Sequence, residues 1–267
     1  IHDEPLQYIS SIQMHDLCFA ARQRGIKVLI SGEGADELFC GYDRYERILM
    51  SVVDLVSKGT KIEDVLYYGG GLNNAQLVSQ ICGILPTSVD ERLCGESYQW
   101  LQANNSLPLL DLMMLYDQRY RLQTINQRQD RMGMAASVEL RQPFLNYRLV
   151  NLANSLHSSL RFDTSIRTRK YILKKIAEHN VPREIIDRKK IGFPSDLTVW
   201  LNSQESYKVL NSLVNNKDSI SSNYLSLGTI TNILNSHYNS TKQYDFLVRS
   251  LFFMEVWNKN RMGCKDT

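Results

Sequence analysis

The chain has 267 residues, 43% of them hydrophobic, enough to bury a substantial core in one large domain or two small ones. Lys and Arg number 31 against 28 Asp and Glu, a net charge of +3 with no dense basic stripe, which excludes nucleic acid as an expected partner. The five cysteines (Cys18, Cys40, Cys82, Cys94 and Cys264) are scattered and never spaced CxxC, which argues against a disulfide framework or zinc site and for reduced thiols. No apolar run approaches the roughly 18 residues of a membrane span, and no signal peptide is visible. A cytoplasmic protein without a membrane partner is therefore expected.

The first residue is Ile1 rather than Met, and Asp3-Glu4-Pro5 runs almost at once into a helical pattern. The expectation is a true N-terminus further upstream. Ile9, Ile12, Leu17 and Ala20 repeat at helical spacing, with Pro5 suited to the first turn and Gly25 to the position past the end. Lys27-Val28-Leu29-Ile30 is short, apolar and β-branched, and predicts a buried strand. Gly32 and Gly34 break it, and a second helix opens at Asp36. Helix, strand, glycine-bearing loop and helix form an α/β unit, whose ligands collect beyond the carboxyl ends of strands. A lone strand makes no sheet, so its partners are expected upstream of this chain.

Beyond the loop the pattern is mostly helical. Leu109–Tyr116 reads as a core helix. Asn146 can cap a helix bearing Leu149, Val150, Leu152, Ala153 and Leu156 on one face. A further helix carries Tyr171, Ile172, Leu173, Ile176 and Ala177, with interruptions at Val181-Pro182 and Pro194. Residues 202–243, rich in Asn and Ser, read as including an exposed, mobile connection, and the last strong helix holds Phe246, Leu247, Leu251, Phe252, Met254 and Trp257.

The chemistry concentrates in Ser31-Gly32-Glu33-Gly34-Ala35-Asp36-Glu37-Leu38-Phe39-Cys40-Gly41-Tyr42. Glycines let backbone amides approach an anion such as phosphate. Three carboxylates beside it would repel phosphate unless a cation mediates, and magnesium takes both carboxylate and phosphate oxygens. The plainer alternative is a glycine turn before an acidic helix start.

This segment resembles the SGxGxDExFxGY signature of the asparagine synthetase family at every fixed position. Asp130-Arg131-Met132 through Ser137-Val138-Glu139-Leu140-Arg141-Gln142-Pro143-Phe144-Leu145 is similar to the family's DRxxMxxSxExRxPFLD stretch. Lys170 to Leu173, Pro182, and Arg188-Lys189-Lys190-Ile191-Gly192-Phe193 resemble its later K-x-x-L, P and R-x-K-x-G-F segment, and Asp3-Glu4-Pro5 its short DEP element. The resemblance implies an α/β, adenine-nucleotide-hydrolase-like (Rossmann-like) synthetase domain of the N-type ATP pyrophosphatase superfamily. Here it would be a predominantly helical C-terminal portion, with residues 1–50 as the remaining α/β part and 51–267 mainly helical.

By the same resemblance Ser31, Gly32 and Gly34 would contact ATP and Asp36 would hold Mg2+ on the pyrophosphate. Glu33 would act at the acyl-adenylate step, positioning the intermediate or assisting the incoming amine, while Glu37 supports the loop. Lys190 would lie near the reacting centre and Glu139 in the acceptor pocket. On composition alone Lys190 reads as a solvated basic face, and Glu139 with Arg141 as a surface pair. Asp117 and Asp130 read as structural, Met132 and Met134 as core, and none of the five histidines has metal spacing.

Two departures stand out. Asn146 replaces the Asp of PFLD, which preserves a cap but not a charge. The family's SGGxDS pyrophosphate loop is not found. Gly69-Gly70-Gly71-Leu72-Asn73-Asn74 mimics it, but in the wrong order and with a neutral amide where the metal carboxylate belongs. That loop and a glutaminase domain are expected outside this chain. The implied activity is ATP-dependent amidation of a small-molecule carboxylate, aspartate by default, with release of AMP and pyrophosphate. Ammonia would come from glutamine in the complete protein, and a homodimer is an allowed assembly. The alternatives are an amidotransferase for a sugar acid of surface polysaccharides, or a non-catalytic binding scaffold.

Overall fold

A computed structural model describes residues 4–6, 8–57, 61–63, 66, 95–188, 196–239 and 244–263. Lys190, the Gly192-Phe193 pair, Pro194 and the glycine turn at 69–74 lie outside these residues. The described residues group into two compact units, 18–66 with 95–188, and 4–17 with 196–263.

Helix α1 (Ser10–Gln23) ends where the sequence predicts. Gly25 takes φ +76°, and its N–H donates to the Arg22 carbonyl at 2.9 Å. Its start and its buried face differ from expectation. Pro5 lies upstream of the helix, and the buried stripe is Ser11, Met14, Cys18 and Ala21, while Ile12 and Leu17 are exposed. The cause is that α1 carries apolar residues on two opposite faces, so spacing alone cannot choose between them.

Strand β1 (Val28–Ile30) pairs in parallel with β2 (Glu139–Arg141), Val28 opposite Glu139 and Ile30 opposite Arg141. One partner therefore lies inside the chain rather than upstream. Nor is β1 buried as expected, since Ile30 is 77% exposed and Val28 shares its face. Leu29 and Leu140 sit opposite each other on the other, more covered face. The helix over Leu122–Ala135 lies close behind β2. A Cβ on its Gly133 would overlap the Val138 carbonyl, so glycine lets helix and strand approach.

The rest of the first unit is helical. It comprises α2 (Ala35–Phe39), α3 (Asp43–Ser57), α4 (Gly95–Ala103), α5 (Leu109–Tyr116), a π turn (Asp117–Arg121) and α6 (Leu122–Ala135). After β2 come α7 (Tyr147–Ser155), α8 (Ser158–Arg161), the hairpin of β3 (Phe162–Asp163) and β4 (Thr168–Arg169), α9 (Tyr171–Ala177) and α10 (Arg183–Ile186). As read from sequence, α5 is a core helix. Leu110, Leu112, Met113 and Met114 are buried with Tyr45, Ile48, Leu101 and Phe162. Asp117 is buried and structural, accepting from Arg44 and the Tyr45 hydroxyl. Met132 is core, but Met134 is exposed, because Leu122, Ile125, Gln129 and Met132 already define the inner stripe of α6.

A smaller cluster anchors the loop. Leu38 and Phe39 of α2 pack with Ala153 of α7, flanked by Phe144, Leu149, Val150, Ile172 and Leu173. Burying side chains of this size contributes about 1.5–3 kcal/mol each, so a five-residue helix is held by packing rather than by propensity. Leu152 and Ile176, expected on these inner faces, are exposed.

Besides the first half of α1, the second unit contains α11 (Asp196–Leu201), α12 (Gln204–Val214), α13 (Leu227–Tyr238) and α14 (Asp245–Gly263). The described part of 202–243 holds two packed helices, with the exposed connection expected there confined to residues 215–226 between them. Its serines are caps: Ser203 accepts from the Ser206 N–H and Ser226 from the Thr229 N–H. Leu210, Val214, Ile230, Ile233 and Leu234 then pack with Leu247, Val248 and Leu251. Among the described residues, no helix is long and apolar enough to cross a membrane.

Candidate active site

The loop at 31–36 leaves the carboxyl end of β1, as the α/β reading requires. The Ser31 N–H donates to the Arg141 carbonyl at 2.8 Å, carrying the ladder one residue past the strand. The Ser31 hydroxyl accepts from the Glu33 N–H at 3.2 Å and tightens the turn. Gly34 caps α2 at φ +90°, and a Cβ there would overlap Leu145. Both conformation and space demand glycine at that position. Gly32 differs. Its φ is unexceptional and a Cβ would meet no described atom within 4 Å, so the fold itself places no demand for glycine there.

Each loop carboxylate has a partner. Glu33 Oε1 accepts from Gln129 Nε2 at 2.7 Å and from the Arg128 guanidinium at 3.2 Å. Gln129 in turn accepts from Gln142 Nε2 at 3.0 Å. The Asp36 carboxylate pairs with Lys170 Nζ at 2.6 Å. Lys170 sits in the left-handed region at φ +53°, and its backbone N–H donates to the Phe39 carbonyl at 3.1 Å. A Cβ on Gly41 would overlap both the Asp36 carboxylate and the Lys170 side chain, so this glycine makes room for the pair. Glu37 is fully buried, with the Tyr42 hydroxyl donating to it. Burial pushes its pKa up against the opposing pull of the Tyr42 hydrogen bond, and the Asp36 and Glu33 charges add smaller upward pushes. Cys40 is buried too, and burial pushes its thiol up to about 12, which removes it as a nucleophile.

The other sequence-predicted residues are placed apart. Glu139 stands opposite Val28, away from the carboxyl end of β1, in a bidentate pair with Arg141 at 2.8 and 3.2 Å. Both side chains are more than half exposed, and no described hydrogen bond joins Glu139 to Glu33 or Asp36. Asn146 caps α7, its side chain accepting from the Arg148 N–H at 3.0 Å. Sequence reasoning passed over Arg128, Gln129, Gln142 and the site role of Lys170. Gln129 left one readable signal: it is a polar residue inside the apolar stripe of α6.

Among the described residues no three His, Cys, Asp or Glu side chains form a metal cage. Asp36 still suits magnesium, which one or two carboxylates hold when phosphate oxygens complete its shell. Its carboxylate already accommodates a cation, the Lys170 ammonium.

The asparagine synthase family model matches residues 1–259. Glutamine-hydrolysing asparagine synthetase 1 of Bacillus subtilis is 25% identical over 286 aligned positions, covering 96% of this chain and 44% of that protein. A Mycobacterium tuberculosis protein provisionally named as a glutamine-hydrolysing asparagine synthetase is 27% identical over 231, covering 76% and 35%. The amidase chyE of Penicillium rubens is 26% identical over 257, covering 74% and 37%. The chain spans under half the length of each of these relatives.

Proposed function

Because the chain belongs to the asparagine synthase family, we propose that it carries part of an ATP-dependent carbon–nitrogen ligase site that amidates a carboxylate, aspartate by default. The observation that carries this is the paired arrangement after β1, with Glu33 held by Gln129 and Arg128, and Asp36 held by Lys170. Such a loop supplies backbone amides, one charge-bearing carboxylate and one oriented carboxylate within a few residues. The adenine-nucleotide-hydrolase-like architecture is part of the same proposal, supported by the parallel β1–β2 pair and the loop at its carboxyl end.

In the first step an acceptor carboxylate oxygen bonds to the α-phosphorus of ATP while the bond to pyrophosphate breaks. Ammonia then bonds to the acyl carbon and AMP leaves with the carbon–oxygen electron pair. Activation is needed because a free carboxylate is a poor electrophile. The approach at Gly32, clear of described atoms, suits backbone contact with the nucleotide, and Ser31 and Gly34 shape that contact. Magnesium bound at Asp36 would supply charge neutralisation at the phosphates. Lys170 adds a positive charge from the chain itself. Glu33 orients the adenylate or takes the proton shed by the incoming amine. Lys190 is proposed to face the adenylate. Glu139 is proposed on the acceptor side, where an exposed pair with Arg141 is readily exchanged for a ligand.

ATP–pyrophosphate exchange by the full-length protein tests this reading. Exchange dependent on aspartate, lost in Asp36→Asn, is the expected result. Exchange with a sugar acid alone would reassign the acceptor. Silence with every acid offered would sink the ligase reading and leave a binding scaffold.

A further inference from the structure

We propose that Gln129 and Gln142 are positioning residues that lock Glu33 through a one-way amide relay; the inference rests on the ligase reading and assigns how its oriented carboxylate is held. Gln129 is 1% exposed, in a stripe of α6 otherwise formed by Leu122, Ile125 and Met132. A buried amide is costly unless both its ends are satisfied. Here both are, and in a fixed sense. The Glu33 carboxylate only accepts, so the Gln129 NH2 must face it, at 2.7 Å. The Gln129 carbonyl then faces the other way and requires a donor, which is the Gln142 NH2 at 3.0 Å. Polarity therefore runs from Gln142 through Gln129 to Glu33 and cannot reverse without turning an oxygen onto the carboxylate.

The fold builds both ends of this relay. Gln142 directly follows β2, and its backbone carbonyl accepts from the Leu145 N–H at 3.0 Å. Glu33 follows β1, and the Ser31 N–H binds the carbonyl of Arg141, the neighbour of Gln142. Strand pairing thus sets the spacing and α6 supplies the middle link. The relay binds only Oε1 of Glu33, and no described residue donates to Oε2. One oxygen is anchored and the other is presented to substrate or amine.

The test reverses the polarity without changing volume. In Gln142→Glu, the new carboxylate draws the Gln129 NH2 toward itself and turns the Gln129 carbonyl onto Glu33. In the full-length protein kcat for amide formation should fall about tenfold, with KM for ATP within about twofold of wild type. Gln142→Met, which deletes the donor without reversal, should lose clearly less. Combining Gln142→Glu with Gln129→Met should add nothing to Gln129→Met alone, because the link is already cut. A merely structural role would instead give equal losses in Gln142→Glu and Gln142→Met, following melting temperature, or additive losses in the double variant, and either result overturns the relay. Wild-type protein inactive with every acid would defeat the ligase reading separately. The relay is then read from a crystal structure of Gln142→Glu: Glu33 displaced from Gln129 upholds it, and Glu33 unmoved overturns it.

Discussion

Gly41 shows how much of the site depends on one absent methyl group. Its conformation does not require glycine. The requirement is room, since a Cβ would overlap the Asp36 carboxylate and the Lys170 side chain. Gly41→Ala should therefore drive the pair apart, with overpacking of about 1–3 kcal/mol. The expected readings are a lower melting temperature and lost nucleotide exchange; wild-type exchange in the alanine variant would show that the Asp36–Lys170 contact is dispensable. Glu139→Gln makes the opposite case. Its pair with Arg141 is exposed, and although Arg141 holds the Glu139 pKa down, water screens the interaction. Melting should not change, so a raised KM for the acceptor acid in this variant would come from the proposed binding role alone. Part of the site was legible at this scale. Glu33 and Asp36 stand in a contiguous pattern of glycines and carboxylates. Their partners are not contiguous, for Gln129 lies 96 residues from Glu33, and no local spacing announces a contact made only by folding.

Elements were legible where a local rule decides them. Asn146 was read as a cap, and its side chain bonds the Arg148 N–H. Asn146→Ala should cost about 1 kcal/mol in chemical unfolding, whereas Asn146→Asp should be near neutral. A large loss in the aspartate variant would mean that the neutral amide, rather than the cap, is what this position needs. The helix α5 was legible because its apolar run has a single outcome. Strand β2 was not, because Glu139-Leu140-Arg141 alternates over only three residues and is extended through its pairing with β1. Helices α12 and α13 were hidden by composition. Asn and Ser suggest loops, yet Ser203 and Ser226 are the capping residues that start those helices. The inner face of α1 was misread for another reason, since both of its faces carry apolar residues and only tertiary packing selects one.

Over the whole molecule, buried titrating groups in the two units respond to acid with opposite sign. His237 is buried in the second unit, where its Nδ1 accepts from the Tyr244 N–H at 3.1 Å. Burial lowers its pKa below 6.5, outweighing the nearby Asp245 charge. The unfolded chain thus takes the proton first as pH falls. The stability due to neutral His237 is whole above 6.5 and is lost progressively below it. Glu37, in the first unit, has a pKa raised above 4.5 by burial. Its ionised form carries a penalty at neutral pH, which is relieved as pH falls toward 4.5. The carboxylates of half-buried Asp163 and exposed Glu139, held below their ordinary values, weaken the fold only in stronger acid. Between 6.5 and 4.5 the second unit should therefore lose stability while the first holds or gains. Trp100 reports the first unit, and Trp200 and Trp257 the second. Urea unfolding followed through variants that keep one set of tryptophans should show the midpoint of the second unit falling with acid. His237→Gln, whose amide can accept from the Tyr244 N–H without titrating, should flatten that dependence. If the slope survives the substitution unchanged, the acid sensitivity resides in another group of the second unit and His237 is a packed core residue without a role in pH response.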